Sequence, residues 1–308
     1  MRKAVIDLGT NTFHLLIADN VEGKVHPLHK KQLAVKLGEG GINRDHIAPA
    51  AFERGIQALE QFRLDLNAFQ VETYEAVGTS AIRGATNREA FLAAAKTRAE
   101  IEIRCISGLE EANYIAKGVL SDLPPLGGSI LIMDIGGGSV EFILSNPSDE
   151  KSIIDRFSLD LGAARLLEKF QPSNPMLPSE YALLRNYLEE KLSGLMHRVN
   201  SEQIRFLVGS AGSFESILDL IRDLNKKEPK PLGENCFEIS PEDFHQVNQV
   251  LIASTREERI GMRGLADFRV EMMVVASILI ETVFAMMRGE RMFCSLHSLK
   301  EGLMLSEE

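Results

Sequence analysis

The sequence predicts an α/β protein made of two similar domains that face each other across a cleft. Three observations lead there. Asp7-Leu8-Gly9-Thr10-Asn11-Thr12 follows the apolar run Ala4-Val5-Ile6 and returns as Leu15-Leu16-Ile17. The arrangement recurs once: Asp134-Ile135-Gly136-Gly137-Gly138-Ser139 stands between Ile130-Leu131-Ile132-Met133 and Phe142-Ile143-Leu144. Strand-like and helix-like periodicities alternate around both copies, as in α/β folds. A long repeat without short-period self-similarity reads as a duplicated architecture and excludes a solenoid.

Taken in order, strands are predicted at Ala4-Val5-Ile6, at Leu15-Leu16-Ile17-Ala18 and around Val25 to Leu28. A helix from about Pro49 to Phe69 carries Phe52, Ile56, Leu59 and Phe62 at three- and four-residue spacing. Tyr74-Glu75-Ala76-Val77 enters the turn Gly78-Thr79-Ser80, and Asn87 is placed to cap a helix through Lys96. Glu102-Ile103-Arg104-Cys105-Ile106 reads as the next strand, followed by a helix to Leu120. Ser121-Asp122-Leu123-Pro124-Pro125-Leu126-Gly127-Gly128 is the linker candidate. It divides residues 1–122 from 123–296.

In the second half, strands are expected near Ile143 and from Ile153 to Leu159, then a helix from Ala163 to Phe170. Pro172, Pro175 and Pro178 punctuate a loop, and Ser179 is positioned to cap a helix to about Val199. Phe206-Leu207-Val208 leads into a third glycine turn, Gly209-Ser210-Ala211-Gly212-Ser213. Ser240-Pro241-Glu242-Asp243 combines an N-cap, a proline at the first helical position and a box-like acid. The apolar stretch Met272 to Met287 is interrupted by Glu281 and falls short of the ~20 residues that span a bilayer. It reads as a buried helix.

Composition bounds the function. With 308 residues, 44% of them hydrophobic and 25% charged, the chain has material for two full cores. A net charge of −10 argues against a general nucleic-acid binder, which needs a basic surface. A polyanionic substrate remains compatible, because a cleft can be locally positive or carry Mg²⁺. Cys105, Cys236 and Cys294 are far apart and read as reduced core thiols of a cytoplasmic protein. A strand begins within five residues of Met1, which fits no signal peptide.

Phosphate binding needs converging backbone N–H groups, and glycine lets the chain turn tightly enough to present them. Gly9 serves the first loop; Gly136, Gly137 and Gly138 serve the second. Thr10, Asn11, Thr12 and Ser139 add side-chain donors. Asp7 and Asp134 end their strands, placed to hold Mg²⁺, which takes one or two carboxylates plus water and phosphate oxygens. An ordinary hairpin turn would account for either loop alone; the matched pair points to phosphate. Ser107-Gly108-Leu109-Glu110 is an S-x-x-E capping box, which assigns Glu110 to the helix cap and leaves Glu111 unassigned. At the first turn, Glu111 is expected to stay ionised through the helix dipole and to be able to take a proton from water. Gly209 and Ser210 either contact a polyanion or start a helix. The seven histidines lack zinc spacing, and no G-x-S-x-G elbow occurs.

These loops resemble those of the superfamily of acetate and sugar kinases, heat-shock chaperones and actin. Within it the chain is similar to the exopolyphosphatase and guanosine pentaphosphate phosphatase family. Further stretches carry the likeness: Lys36-Leu37-Gly38-Glu39-Gly40, Gly78 through Arg83, Ile106-Ser107-Gly108-Leu109-Glu110-Glu111-Ala112, Leu161-Gly162-Ala163-Ala164-Arg165-Leu166, and Leu299-Lys300-Glu301-Gly302-Leu303. Val140, Lys36, Lys300 and Ser295-Leu296-His297 depart from the family pattern.

The resemblance implies two ribonuclease H-like, actin-like domains, with a closing helix within 297–308 crossing back to the first. It implies Glu111 as catalytic glutamate, Glu141 as an acid for metal or water beside Asp134, and Arg83 as a phosphate ligand. It also implies Mg²⁺, with a monovalent cation as a further candidate, and polyphosphate or guanosine pentaphosphate as substrate. The family's longer members carry an additional helical domain; with its end at Glu308 this chain resembles the short ones. A small-molecule kinase and a nucleotide-driven switch are the alternatives of another class, and a homodimer is the default expectation for a soluble enzyme.

Overall fold

The computed structural model describes residues 2–21, 24–147, 153–224 and 226–306. The chain opens with β1 (Arg2–Leu8), β2 (Thr12–Val21) and β3 (Lys24–Ala34), then α1 (Pro49–Ala68), β4 (Thr73–Gly78), α2 (Ser80–Gly84), α3 (Arg88–Arg98), β5 (Arg104–Cys105) and α4 (Gly108–Leu120). Next come β6 (Ile130–Ile135), β7 (Val140–Ser145), β8 (Ile153–Leu159), α5 (Ala163–Phe170), α6 (Pro178–Ser201), β9 (Phe206–Ser210) and α7 (Ala211–Leu224). The remainder is β10 (Lys230–Pro231), β11 (Cys236–Ile239), α8 (Pro241–Ala253), α9 (Arg256–Ile260), α10 (Met272–Met286), β12 (Arg291–Ser295) and α11 (Leu299–Met304).

The repeat in the sequence is a repeat in topology. The first sheet runs β3-β2-β1-β4-β5, with the β1–β2 and β2–β3 pairs antiparallel and the β1–β4 and β4–β5 pairs parallel. The second contains the same order and directions in β8-β7-β6-β9-β12, extended by β11 and β10. This is the strand order of the ribonuclease H-like, actin-like domain, present twice.

Strand alternation divides the apolar residues among three cores. Ala4, Ile6 and Leu8 of β1 pack with α1 and α3, while Leu131, Met133 and Ile135 of β6 pack with α5, α6, α7 and α10. The opposite faces, Val5 of β1 and Ile130 and Ile132 of β6, meet in a third core shared by both sheets. Ile115 and Val119 of α4 and Leu299 and Leu303 of α11 fill it. Burial on both faces explains why β1 and β6 read as continuous apolar runs. Helix α4 is therefore rooted between the sheets, and its first turn emerges at their common mouth. The closing helix α11 packs on α4 and β1, and Lys3 Nζ donates to the carbonyl of Ser306. Residues 307 and 308 lie outside the described set. Within α10, Glu281 accepts a 2.7 Å hydrogen bond from Tyr181 Oη, which accommodates the acid in an otherwise apolar helix. Among the described residues no helix is long and apolar enough to cross a membrane, and all three cysteines are free.

Four local expectations change. Asn87 stands at the N-cap position of α3 as expected, but its side chain makes no capping bond; its amide pairs instead with the backbone N–H and C=O of Ile47 at 3.0 Å each. Pro178, not a residue after Ser179, opens α6, and Glu180 accepts from the N–H of Leu177. The strand around Ile103 shrinks to Arg104–Cys105, which pair with Val77 and Gly78 at the end of β4. The third glycine turn is no separate turn: β9 passes directly into α7 at Ala211, whose φ of 61° makes the bend in one residue.

At the crossing of α4 and α11, a side chain on Gly302 would strike the carbonyl of Tyr114 in the facing helix. Gly302→Val is expected to cost about 1–3 kcal/mol by overpacking, measurable as a lower denaturation midpoint; unchanged stability would contradict this packing.

Candidate active site

A cleft of about 620 Å³ opens between the two sheets, lined by both loops: Asp7, Gly9, Thr10, Asn11 and Thr12 on one wall, Asp134 and Gly136 through Ser139 on the other. Each loop is closed by one backbone bond, Gly9 N–H to Thr12 O at 3.1 Å and Gly136 N–H to Ser139 O at 3.0 Å. The tips approach closely. A Cβ on Gly138 would lie 2.5 Å from Ser80 Oγ and 2.7 Å from Thr10 Oγ1, so only glycine allows the second loop to reach the first. Thr10 Oγ1 and Asp7 Oδ1 are buried without a hydrogen-bond partner. Buried polar atoms are rarely left so; both are aimed into the cleft and suited to a ligand.

The capping box forms as expected: Ser107 Oγ accepts from Glu110 N at 3.2 Å, and Glu110 Oε2 accepts from Ser107 N at 2.8 Å. Glu111 is thereby turned into the cleft wall, 8% exposed. Arg83, at the end of α2, donates to Glu111 Oε2 at 2.8 Å, to the carbonyl of Ile106 at 3.1 Å and to Ser139 Oγ at 3.5 Å. Glu141 faces Asp134 across the β6–β7 ladder and Ser158 across β7–β8. It is 1% exposed and accepts from Ser158 Oγ at 2.7 Å.

Four predicted residues stand outside the cleft lining, Arg83 and Glu141, just described, and Gly209 and Ser210. Gly209 packs against the ring of Phe214, and Ser210, fully buried, donates to Asp134 Oδ2 at 2.6 Å. Neither lines the cleft; Gly212 and Ser213 from the start of α7 do. Also lining it are Ser80, His14, Glu215, Arg269 and Lys300, which the sequence reading did not select. Ser80 was within reach, since it belongs to the hydroxyl turn that precedes Arg83. Arg269 and Glu215 carry no local signal, because only the tertiary fold brings them to the loops.

The carboxylates repel one another in a poorly solvated place. Burial, then Glu111, push Asp7 up to about 8. Burial likewise raises Asp134 to about 6 against the opposing bond from Ser210. Burial and the charge of Glu111 hold Glu141 well above the usual carboxylate range. Glu111 rises to about 7, with burial outweighing the charge and hydrogen bond of Arg83. This corrects the expectation that the helix dipole keeps Glu111 ionised: a dipole contributes about 0.3–1 kcal/mol at a surface, less than removal from water costs a carboxylate.

Lys300, whose own burial opposes its charge, is held charged above its ordinary value by Glu301, Glu215 and Asp7. Hard oxygen donors of this kind suit Mg²⁺. Among the described residues no three or more His, Cys, Asp or Glu form a ready-made metal cage. A cation here would complete its shell with water and phosphate oxygens.

An acid whose folded pKa is raised stabilises the fold below its unfolded value, near 3.8 for Asp7, and loses that contribution as pH rises through about 8. Asp7→Asn should therefore raise the melting temperature in metal-free buffer above pH 8, with a gain that shrinks toward pH 4. A lower melting temperature at the alkaline end would contradict the repulsion.

With this geometry in hand, comparison with known proteins places the chain. A solved exopolyphosphatase from Cytophaga hutchinsonii is 35% identical, with a TM-score of 0.93 over 99% of this chain and 96% of that one. Exopolyphosphatase 2 of Mycobacterium tuberculosis is 29% identical over 320 residues, 99% of this chain and 98% of that protein. The Ppx/GppA enzyme of Aquifex aeolicus shares the fold, with a TM-score of 0.79 at 24% identity over 100% and 99% of the two chains. The model of the Ppx/GppA phosphatase family matches residues 16–308, and the chain belongs to that family.

Proposed function

We propose that the protein is an exopolyphosphatase that releases orthophosphate from the end of inorganic polyphosphate by attack of water on the terminal phosphoanhydride. The observation that carries this reading is Glu111, a buried acid in the cleft wall that the helix cap does not use. The relatives named exopolyphosphatase, matched over nearly their whole length, support it.

The two loops hold successive phosphates with the N–H groups of Gly137 and Gly138 and the side chains of Thr10, Asn11, Thr12 and Ser139, while the N–H groups of Gly9 and Gly136 close the turns. Asp134 with one further acid, Glu141 or Asp7, would hold Mg²⁺, which when bound offsets the negative charge of the phosphates. Arg83 engages Oε2 of Glu111, which leaves Oε1 to take the proton of the attacking water. The new bond joins water oxygen to phosphorus, the bridging P–O bond breaks, and the shortened chain leaves as an anion. Such catalysis is mostly positioning and electrostatics. Residues 1–122 with the closing helix and 123–296 are proposed as the two bodies that close on the substrate. We place the enzyme in the cytoplasm, where three free thiols persist, as a homodimer.

Glu111→Gln should lower turnover of polyphosphate on the order of 10²–10⁴-fold while retaining binding; full turnover would sink the assignment. A base with a pKa of about 7 is protonated below that pH, so kcat/KM should rise with pH through about 7. Arg83 lowers the Glu111 pKa, so Arg83→Met should move this limb to higher pH. A limb that stays in place, or moves down, would separate Arg83 from Glu111.

A further inference from the structure

A loop that binds phosphate through its N–H groups must turn its carbonyl oxygens away, or they repel the anion. In the second loop the carbonyls of its three glycines are taken from behind by the segment after β8. Gly136 O accepts from Ala163 N at 2.9 Å, and Gly137 O from Ala164 N at 2.9 Å and Arg165 N at 3.0 Å. Gly138 O accepts from Gly162 N at 3.3 Å and from Arg165 Nε at 3.0 Å. Helix α5 has no side-chain cap; the loop carbonyls satisfy its first N–H groups instead. The first loop is braced equivalently from after β3, with Gly38 N on Thr10 O at 3.0 Å and Lys36 N on Asn11 O at 2.7 Å. By loop position, Lys36 N on Asn11 O matches Gly162 N on Gly138 O, and Gly38 N on Thr10 O matches Ala164 N on Gly137 O.

Arg165 adds something the first half's brace lacks. Its Nη1 donates to the carbonyl of Ile42, in the opposite half, at 3.0 Å, while the amide of Asn43 donates back to the carbonyl of Arg165 at 3.2 Å. Nη2 lies 3.5 Å from the exposed Asp160, a contribution weakened by solvent. One planar guanidinium therefore joins the carbonyl of Gly138, which meets Thr10 and Ser80, to the backbone of the other half at Ile42.

We propose that Arg165 is a positioning residue that couples the orientation of the second phosphate loop to the approach of the two halves. The fork geometry is what matters, because two carbonyls in different directions must be reached at once. The inference deepens the exopolyphosphatase reading and rests on it only for the turnover measurement; the binding measurement needs the phosphate site alone.

The test uses the full chain with Arg165→Ala, Arg165→Lys and Asn43→Ala. Binding of tripolyphosphate is followed by calorimetry without divalent metal, and phosphate release from polyphosphate is followed with Mg²⁺. Arg165→Ala and Arg165→Lys are expected to lose about tenfold in tripolyphosphate affinity, the scale of one charge-assisted bond, and more in kcat than in KM. Asn43→Ala should lose less in the same direction. Free guanidinium, well below denaturing concentration, should restore part of both properties to Arg165→Ala and nothing to Arg165→Lys. Wild-type affinity in Arg165→Ala, or full rescue by lysine, would overturn the proposal. A loss of affinity that guanidinium does not reverse, with a lowered melting temperature, would also overturn it by assigning the residue to structure alone. An inactive wild type with the expected binding pattern would reject the exopolyphosphatase reading and keep the role of Arg165.

Discussion

Four carboxylates, Asp7, Glu111, Asp134 and Glu141, are gathered in and behind the wall of one cleft, where burial disfavours their charge more than Arg83, Ser210 and Lys300 offset it. Burial raises all four above their ordinary values, and neighbouring carboxylates, Glu215 and Glu301 in the case of Asp134, add to it. A folded chain tolerates such a cluster because the remaining architecture holds it in place. The register of β6 and β7 sets Asp134 opposite Glu141, and the third core roots α4 so that Glu111 cannot turn away. The strain is of the kind stored at functional sites. A divalent cation would relieve it, and phosphate would complete the shell.

Duplication explains the rest of the arrangement. Two sheets of the same order bring two equivalent hairpin tips to one cleft, and each tip is braced from behind by the segment following its third strand. The halves then diverge where chemistry requires. The first contributes the turn ending in Arg83 and the helix bearing Glu111; the second contributes Glu141 on the returning strand. The cleft lining is thus shared between the halves.

Legibility in the sequence follows the range of the interactions. The loops were readable because β1, β2, β6 and β7 are buried on both faces and appear as unbroken apolar runs around acid and glycine. Glu111 was readable because the capping box is local and leaves one acid over. Long-range pairings were not readable. Asn87 turned to Ile47, and Ser210 proved to be a support for Asp134. The bonds of Arg165 span 27 residues to Gly138 and 123 to Ile42 and leave no periodic trace. The ionisation of Glu111 also escaped, since a helix start predicts a lowered pKa and only the packed site reveals the burial that raises it. Among the described residues, α11 meets α4 through close glycines, a contact foreshadowed only by the family-like closing stretch.

The central claim is that water, activated at Glu111, is the acceptor of the phosphoryl group. Turnover of polyphosphate in heavy-oxygen water, with mass analysis of the released orthophosphate, tests it most directly. One heavy oxygen per orthophosphate at first release, with no added acceptor, is the predicted result. Orthophosphate without solvent oxygen, or phosphate loss that depends on an added acceptor, would contradict the account and return the site to a kinase.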